Sequence, residues 1–170
     1  RRAGPPTAGA AGYGWCRGAA GLALAHSALA HSALGHNALP HNALAPDAPA
    51  PRRHAPDDGP APAYRADEVI RLLTDRPLLG DLSLCHGELG IAEALHGIAP
   101  GTDPVRRHLG RILDAVDRYG PSCGTPNGVP TPGLLTGLAG IGYELLRLAG
   151  AAPVPSVLLL EPTPAPPPPD

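Results

Sequence analysis

The chain has 170 residues, enough for one ordinary domain. Its 22 glycines and 24 prolines exceed a quarter of the residues, while Phe and Met are absent and aromatic residues make up 3%; this excludes a dense aromatic core and leaves Leu, Ala, Ile and Val to build one. A formal net charge of −2 gives no electrostatic case for nucleic acid or membrane, and no apolar run approaches the roughly 20 residues of a membrane-spanning helix.

Residues 1–12 carry two arginines, then glycines and prolines instead of an apolar signal core, and read as a linker or a truncated N-terminal edge. Lacking Met, the sequence reads as part of a longer chain or a processed product, and its expected location is cytoplasmic. A compact block follows, Tyr13 to Ala25, then four pentads that begin at His26, His31, His36 and His41. From Pro46 to Ala63 the composition is that of a disordered stretch, so residues 26–63 read as a low-complexity insert. Val69, Ile70, Leu72 and Leu73 set a short helical pattern over Asp67–Leu73. A second block runs from Leu84 to Leu95. Asp103 as N-cap, Pro104 at the first helical position, apolar Val105, Leu109, Ile112, Leu113 and Val116, and Gly120 as a stop predict the best-marked helix of the chain. A turn-rich stretch, Pro121–Pro132, leads to a third block, Leu135–Leu146, and Pro162–Asp170 is a polyproline-like tail.

The blocks read as copies of one unit. Gly18-x-x-Gly21, Gly87-x-x-Gly90 and Gly137-x-x-Gly140 each precede an Ala/Leu/Ile-rich helical stretch. Glycine there permits close backbone approach at a crowded helix start. The following helices are apolar nearly all round and are expected to be enclosed on both sides; the amphipathic helix from Asp103 suits an outer layer. The fold class expected is all-α, a partial α/α toroid of about three helical-hairpin repeats, spanning residues 13–161 around the insert. Gly18 to Gly87 is 19 residues longer than Gly87 to Gly137, close to the length of four pentads, so the pentads read as a tandem expansion within the repeat.

Three cysteines, an odd number, suit metal ligands or free thiols better than a disulfide framework. Superposing the copies brings Cys16 and Cys85 to equivalent places, with His86 beside Cys85. Two thiolates and an imidazole suit zinc and leave a fourth position open, the pattern of a catalytic site. Buried free thiols explain the same residues, and spacing alone leaves both readings open.

Gly14-Trp15-Cys16-x-Gly18-x-x-Gly21, Leu84-Cys85-His86-Gly87-x-Leu89-Gly90 and Pro132 to Tyr143 together resemble the lanthionine synthetase C-like cyclase family. Val154 to Glu161 is similar to the C-terminal end of its bifunctional (class II) lanthipeptide synthetases. The resemblance implies an α/α toroid and a zinc ion held by Cys16, Cys85 and His86. It implies a precursor peptide with dehydrated Ser/Thr and free Cys as substrate. Zinc lowers the pKa of a peptide thiol, which adds to dehydroalanine or dehydrobutyrine to close a thioether ring. The family's acid/base residues lie in earlier repeats, so the catalytic residues are expected upstream of this sequence, in a missing N-terminal part of the synthetase that is a candidate partner. The isolated chain is expected to be inactive.

Other residues read more plainly. The pentad histidines turn about 500° per step on a helix and so spiral instead of lining one face; a weakly structured tract is expected there, with a His-rich metal buffer as the weaker alternative. His54, His96 and His108 are expected at the surface, Cys123 as a plain free thiol, Tyr143 in packing, and Glu88 as favouring the start of its helix. The two principal readings are thus a zinc-dependent cyclase fragment and a truncated, non-catalytic remnant that binds zinc only.

Overall fold

The computed structural model describes residues 12–34, 65–150 and 154–162. The expectations for His36, His41 and His54, for most of the insert and for the tail lie outside those residues. Among the described residues the fold is all-helical: α1 (Ala19–Leu34), α2 (Ala66–Thr74), α3 (Glu88–Ile98), α4 (Asp103–Tyr119) and α5 (Leu138–Leu148), with a short 3-10 turn at Pro126–Gly128.

α3 is the centre and packs against all four other helices. Every residue from Glu88 to Leu95 is buried, which is why the segment has no polar face. Leu24 of α1, Leu73 of α2, Val105 and Ile112 of α4 and Ile141 of α5 meet Leu89, Ile91 and Leu95 in one core, each side chain stabilising the fold by about 1.5–3 kcal/mol. Enclosure on both sides holds for α3 alone. α1, which packs on α3 and α2, and α5, which packs on α3, leave Leu22, Leu138 and Leu146 exposed.

The backbone of α1 continues through the first two pentads to Leu34, so that part of the expected weakly structured tract is helical. Its Ala/Leu content outweighs the pentad's polar positions. In α4 the N-cap is Thr102 and not Asp103: Thr102 is extended and its carbonyl takes the Arg106 N–H at 2.9 Å. Asp103 is the first helical residue, and its carboxylate pairs with Arg106. Gly120 ends the helix as expected, at φ 75°.

Two buried polar clusters fix the helices. The first surrounds Glu88, which is fully buried at the start of α3. Arg76 donates to both carboxylate oxygens, at 2.8 and 3.0 Å, the Leu79 N–H donates as well, and His108 Nε2 lies 3.0 Å away. Burial by itself would raise this acid; the hydrogen bonds from His108 and Arg76 and the guanidinium charge prevail and hold it below the usual carboxylate range. The expected surface position of His108 is therefore corrected: it is 1% exposed, drawn inward by the carboxylate. Arg111 of α4 donates to the Thr74 and Arg76 carbonyls at 3.0 and 2.7 Å.

The second cluster joins α3, α5 and the segment 154–162. Ser156 Oγ and Arg147 donate to Glu93, and Tyr143 donates its hydroxyl to the Pro155 carbonyl at 2.8 Å, the packing role expected for that residue. Glu144 is buried beside Glu93. Burial first, then the charge of Glu93 and a hydrogen bond with it, push its carboxyl up to about 8, against the pull of Arg147. Glu144 thus keeps its proton at neutral pH.

Arg76→Ala should cost about 3–5 kcal/mol in chemical denaturation, because Glu88 would lose its guanidinium partner while buried. Glu88 is stabilising above its unfolded value of 4.5, and that contribution disappears as pH falls through its lowered folded value. Glu144 acts in the opposite sense. Between pH 4.5 and about 8 the unfolded chain ionises it and the folded chain does not. Stability should therefore decline across that window by up to about 1.4 kcal/mol per pH unit. Thermal melts of Glu144→Gln, compared with the parent at pH 5 and pH 8, should show that slope removed.

Candidate functional site

Three turns, each just ahead of a helix, build the site. The second glycine of each sequence motif, Gly21, Gly90 and Gly140, lies so close to a backbone carbonyl (Trp15, Leu84 and Leu134) that an added Cβ would overlap it. The carbonyl six residues back thus rests on the helix start in all three cases, and any side chain would push the turn away.

Backbone hydrogen bonds then join the turns at matching positions. Cys16 N–H donates to the Cys85 carbonyl at 3.1 Å, and Cys85 N–H donates to the Leu135 carbonyl at 3.0 Å. The result is a short ladder that crosses from the α1 turn to the α3 turn to the α5 turn. The Gly14 backbone lies against the Cys85-His86 turn, and a Cβ there would stand 2.9 Å from His86 Cα.

The ladder sets two of the three expected ligands side by side on neighbouring turns. Cys16 is exposed, Cys85 is half-buried, and both are free thiols. Cys85 is pushed up to about 11, first by burial, then by the hydrogen bond and charge of Cys16 and by the Asp81 carboxylate. A thiol in that setting holds its proton at neutral pH unless a cation replaces it.

His86, next in sequence to Cys85, is half-buried and turned toward the loop that follows α4. Its Nε2 lies 3.0 Å from the Gly124 carbonyl. A carbonyl only accepts, so Nε2 carries the hydrogen and Nδ1 of the neutral ring keeps a free lone pair. Among the described residues, no group of three or more His, Cys, Asp or Glu side chains is gathered as a metal-holding cluster. The ladder therefore pairs the two cysteine turns, with the imidazole next to Cys85 in sequence and its orientation set by Gly124.

Sequence reasoning passed over the residues that hold this turn. Asp81 Oδ1 accepts from the Ser83 N–H and hydroxyl at 2.9 and 2.6 Å, and Ser83 Oγ accepts from the His86 N–H at 3.4 Å. Gly124 donates its N–H to the Thr136 carbonyl at 2.8 Å while its own carbonyl meets His86, so one residue ties the third turn to the imidazole. A Cβ on Gly124 would run into Ser83 Oγ and, at 2.7 Å, His86 Nε2. The signal was present in Ser122-Cys123-Gly124-Thr125-Pro126, a glycine within a turn. Cys123 itself is a free thiol, as expected, but buried in the core. Glu88 does begin its helix; its main partners are nevertheless Arg76 and His108.

A family model described as "Lanthionine synthetase C-like protein" matches residues 63–159, more than half of the chain. No curated protein and no solved structure gives a significant match.

Gly124→Ala should turn the His86 ring away from its carbonyl partner and cost about 1–3 kcal/mol through overpacking. Long-range proton–nitrogen NMR of the imidazole should report the Nε2–H tautomer in the parent and a reduced share of it in the variant.

Proposed function

The chain belongs to the lanthionine synthetase C-like family, and from that premise we propose that it carries the metal-thiol part of a thioether-forming cyclase that acts on a dehydrated precursor peptide in lanthipeptide biosynthesis. The five helices are read as part of an α/α toroid, with α1, α3 and α5 as inner helices and α2 and α4 as outer ones. The shared helix starts and the backbone ladder between the three turns support this reading.

Cys16, Cys85 and His86 would hold a zinc ion. The observation that carries the proposal is the direct backbone bond that sets two free thiols from separate turns side by side, next to an imidazole whose Nε2 is engaged by the Gly124 carbonyl. Two sulfurs and one nitrogen match the donor preference of zinc and leave room for a substrate sulfur. When bound there, zinc would supply the positive charge that lets a peptide thiol lose its proton near neutral pH. The peptide sulfur would then bond to the β-carbon of dehydroalanine or dehydrobutyrine, and the electron pair of the lost double bond would take up a proton at the α-carbon, replacing the one the thiol gave up.

This chain's own contribution is to set that geometry. The ladder fixes the separation of the Cys16 and Cys85 turns, Asp81 and Ser83 hold the second turn, and the Gly124 carbonyl selects the His86 tautomer. Among the described residues no helix is long and apolar enough to cross a membrane. A cytoplasmic setting is part of the proposal, supported by three cysteines that are all unpaired.

Metal analysis of the purified chain should find about one zinc per chain, lost when Cys16→Ala and Cys85→Ala are combined. Zinc retained by that double variant would overturn the ligand assignment. Free-thiol counts on a dehydrated precursor peptide, incubated with the zinc-loaded chain, separate ring formation from metal holding alone: falling thiols mark a cyclase, and constant thiols with bound zinc mark a remnant.

A further inference from the structure

Beside Cys16 the chain forms an apolar cavity of about 340 Å³. Three stretches distant in sequence wall it: Trp15 and Cys16 from the turn ahead of α1, Leu24 and Ala25 from α1, and Leu158 and Leu159 from the C-terminal segment that Ser156 fastens to Glu93. None of its lining residues carries a charge. The volume is near the low end for small-molecule sites and has room for one large side chain with its adjoining backbone.

The only polar side-chain groups among the lining residues are the Cys16 thiol and the Trp15 indole N–H, so a charged group would enter at a desolvation cost. An aliphatic or aromatic group would enter with a gain from burial. The cavity is also continuous with the thiol pair, since Cys16 belongs to both. A ligand whose sulfur sits at Cys16 and Cys85 therefore has its neighbouring atoms at the cavity.

We propose that this cavity is a side-chain subsite for the precursor peptide. It takes the aliphatic or aromatic residue next to the reacting cysteine, and it thereby selects which cysteine is presented for ring closure. The proposal rests on the thioether-forming reading above and adds to it a preference for sequence around the thiol.

Trp15 is the one tryptophan of the chain and stands in the cavity wall, so its emission reports on this place alone. The test titrates the full, zinc-loaded chain with N-acetyl-Cys-Leu-amide and with N-acetyl-Cys-Gly-amide while following Trp15 emission. The leucine probe is expected to bind about tenfold more tightly. Ala25→Leu changes an exposed residue of α1 and fills the cavity, and it should bring the two affinities together, with an unchanged circular dichroism spectrum as the check on folding. Leu159→Ala removes part of the opposite wall and should narrow the same ratio. Equal affinities in the parent chain, an absent Trp15 response to both probes, or a preference that survives both substitutions would each overturn the subsite. Removal of zinc tests the underlying reading separately. If the metal holds the peptide sulfur, both probes weaken by the same factor. Unchanged affinities with the leucine preference intact would reject the metal reading and leave the subsite standing.

Discussion

Glu88 begins α3 with its carboxylate cut off from water, a placement that is tolerable only if donors surround it. Arg76 comes from the turn after α2, His108 from the inner face of α4, and the Leu79 N–H from the strap between α2 and α3. Arg76 also lies over the Tyr13 ring, its guanidinium carbon 4.9 Å from the centroid, and Arg111 fastens the Arg76 backbone to α4. One buried charge thereby sets the relation of α2, α3 and α4 and reaches the turn ahead of α1. Because Glu88 is only three residues beyond Cys85, the same constraint fixes where the Cys85-His86 turn can be.

On that base the ladder does what side-chain packing could not. Thiols are short, and a small error in the spacing of two turns would separate them. Direct backbone bonds from Cys16 to Cys85 and from Cys85 to Leu135 set the spacing independently of the side chains. The third turn has Leu135 at the matching position and contributes backbone support without a thiol. Gly124 carries that support onward to the imidazole. The site is thus held from behind by groups with no chemistry of their own.

Much of this was legible in the sequence wherever a local pattern has a local cause. The helical spacing of Val69, Ile70, Leu72 and Leu73 predicted α2, and the apolar stripe with Pro104 and Gly120 predicted α4 to within a residue. The paired glycines marked three helix starts because the close approach they permit recurs at each one. Long-range partners were not legible. Nothing near His108 in sequence announces Glu88, which is why a histidine on an amphipathic helix was assigned to the surface. Glu93 and Glu144 lie in two apolar helices about fifty residues apart, and the raised carboxyl of Glu144 exists only after those helices pack. The N-cap was misplaced by one because Thr102 and Asp103 both suit that position, and the decision fell to the extended backbone of Thr102.

The segment 154–162 is clasped to α3 and α5 through Ser156, Glu93 and Tyr143, and it carries Leu158 and Leu159 across to the neighbourhood of Cys16. The two thiols depend on the ladder, whereas the apolar wall beside them depends on the clasp. The thiol-bearing turns and the apolar wall are therefore held by separate fastenings. Glu144, which lies beside the Glu93 of that clasp, holds its proton only up to about pH 8. Above that pH a new negative charge would stand beside the clasp, while the ladder, built of backbone hydrogen bonds, has no titrating group of its own.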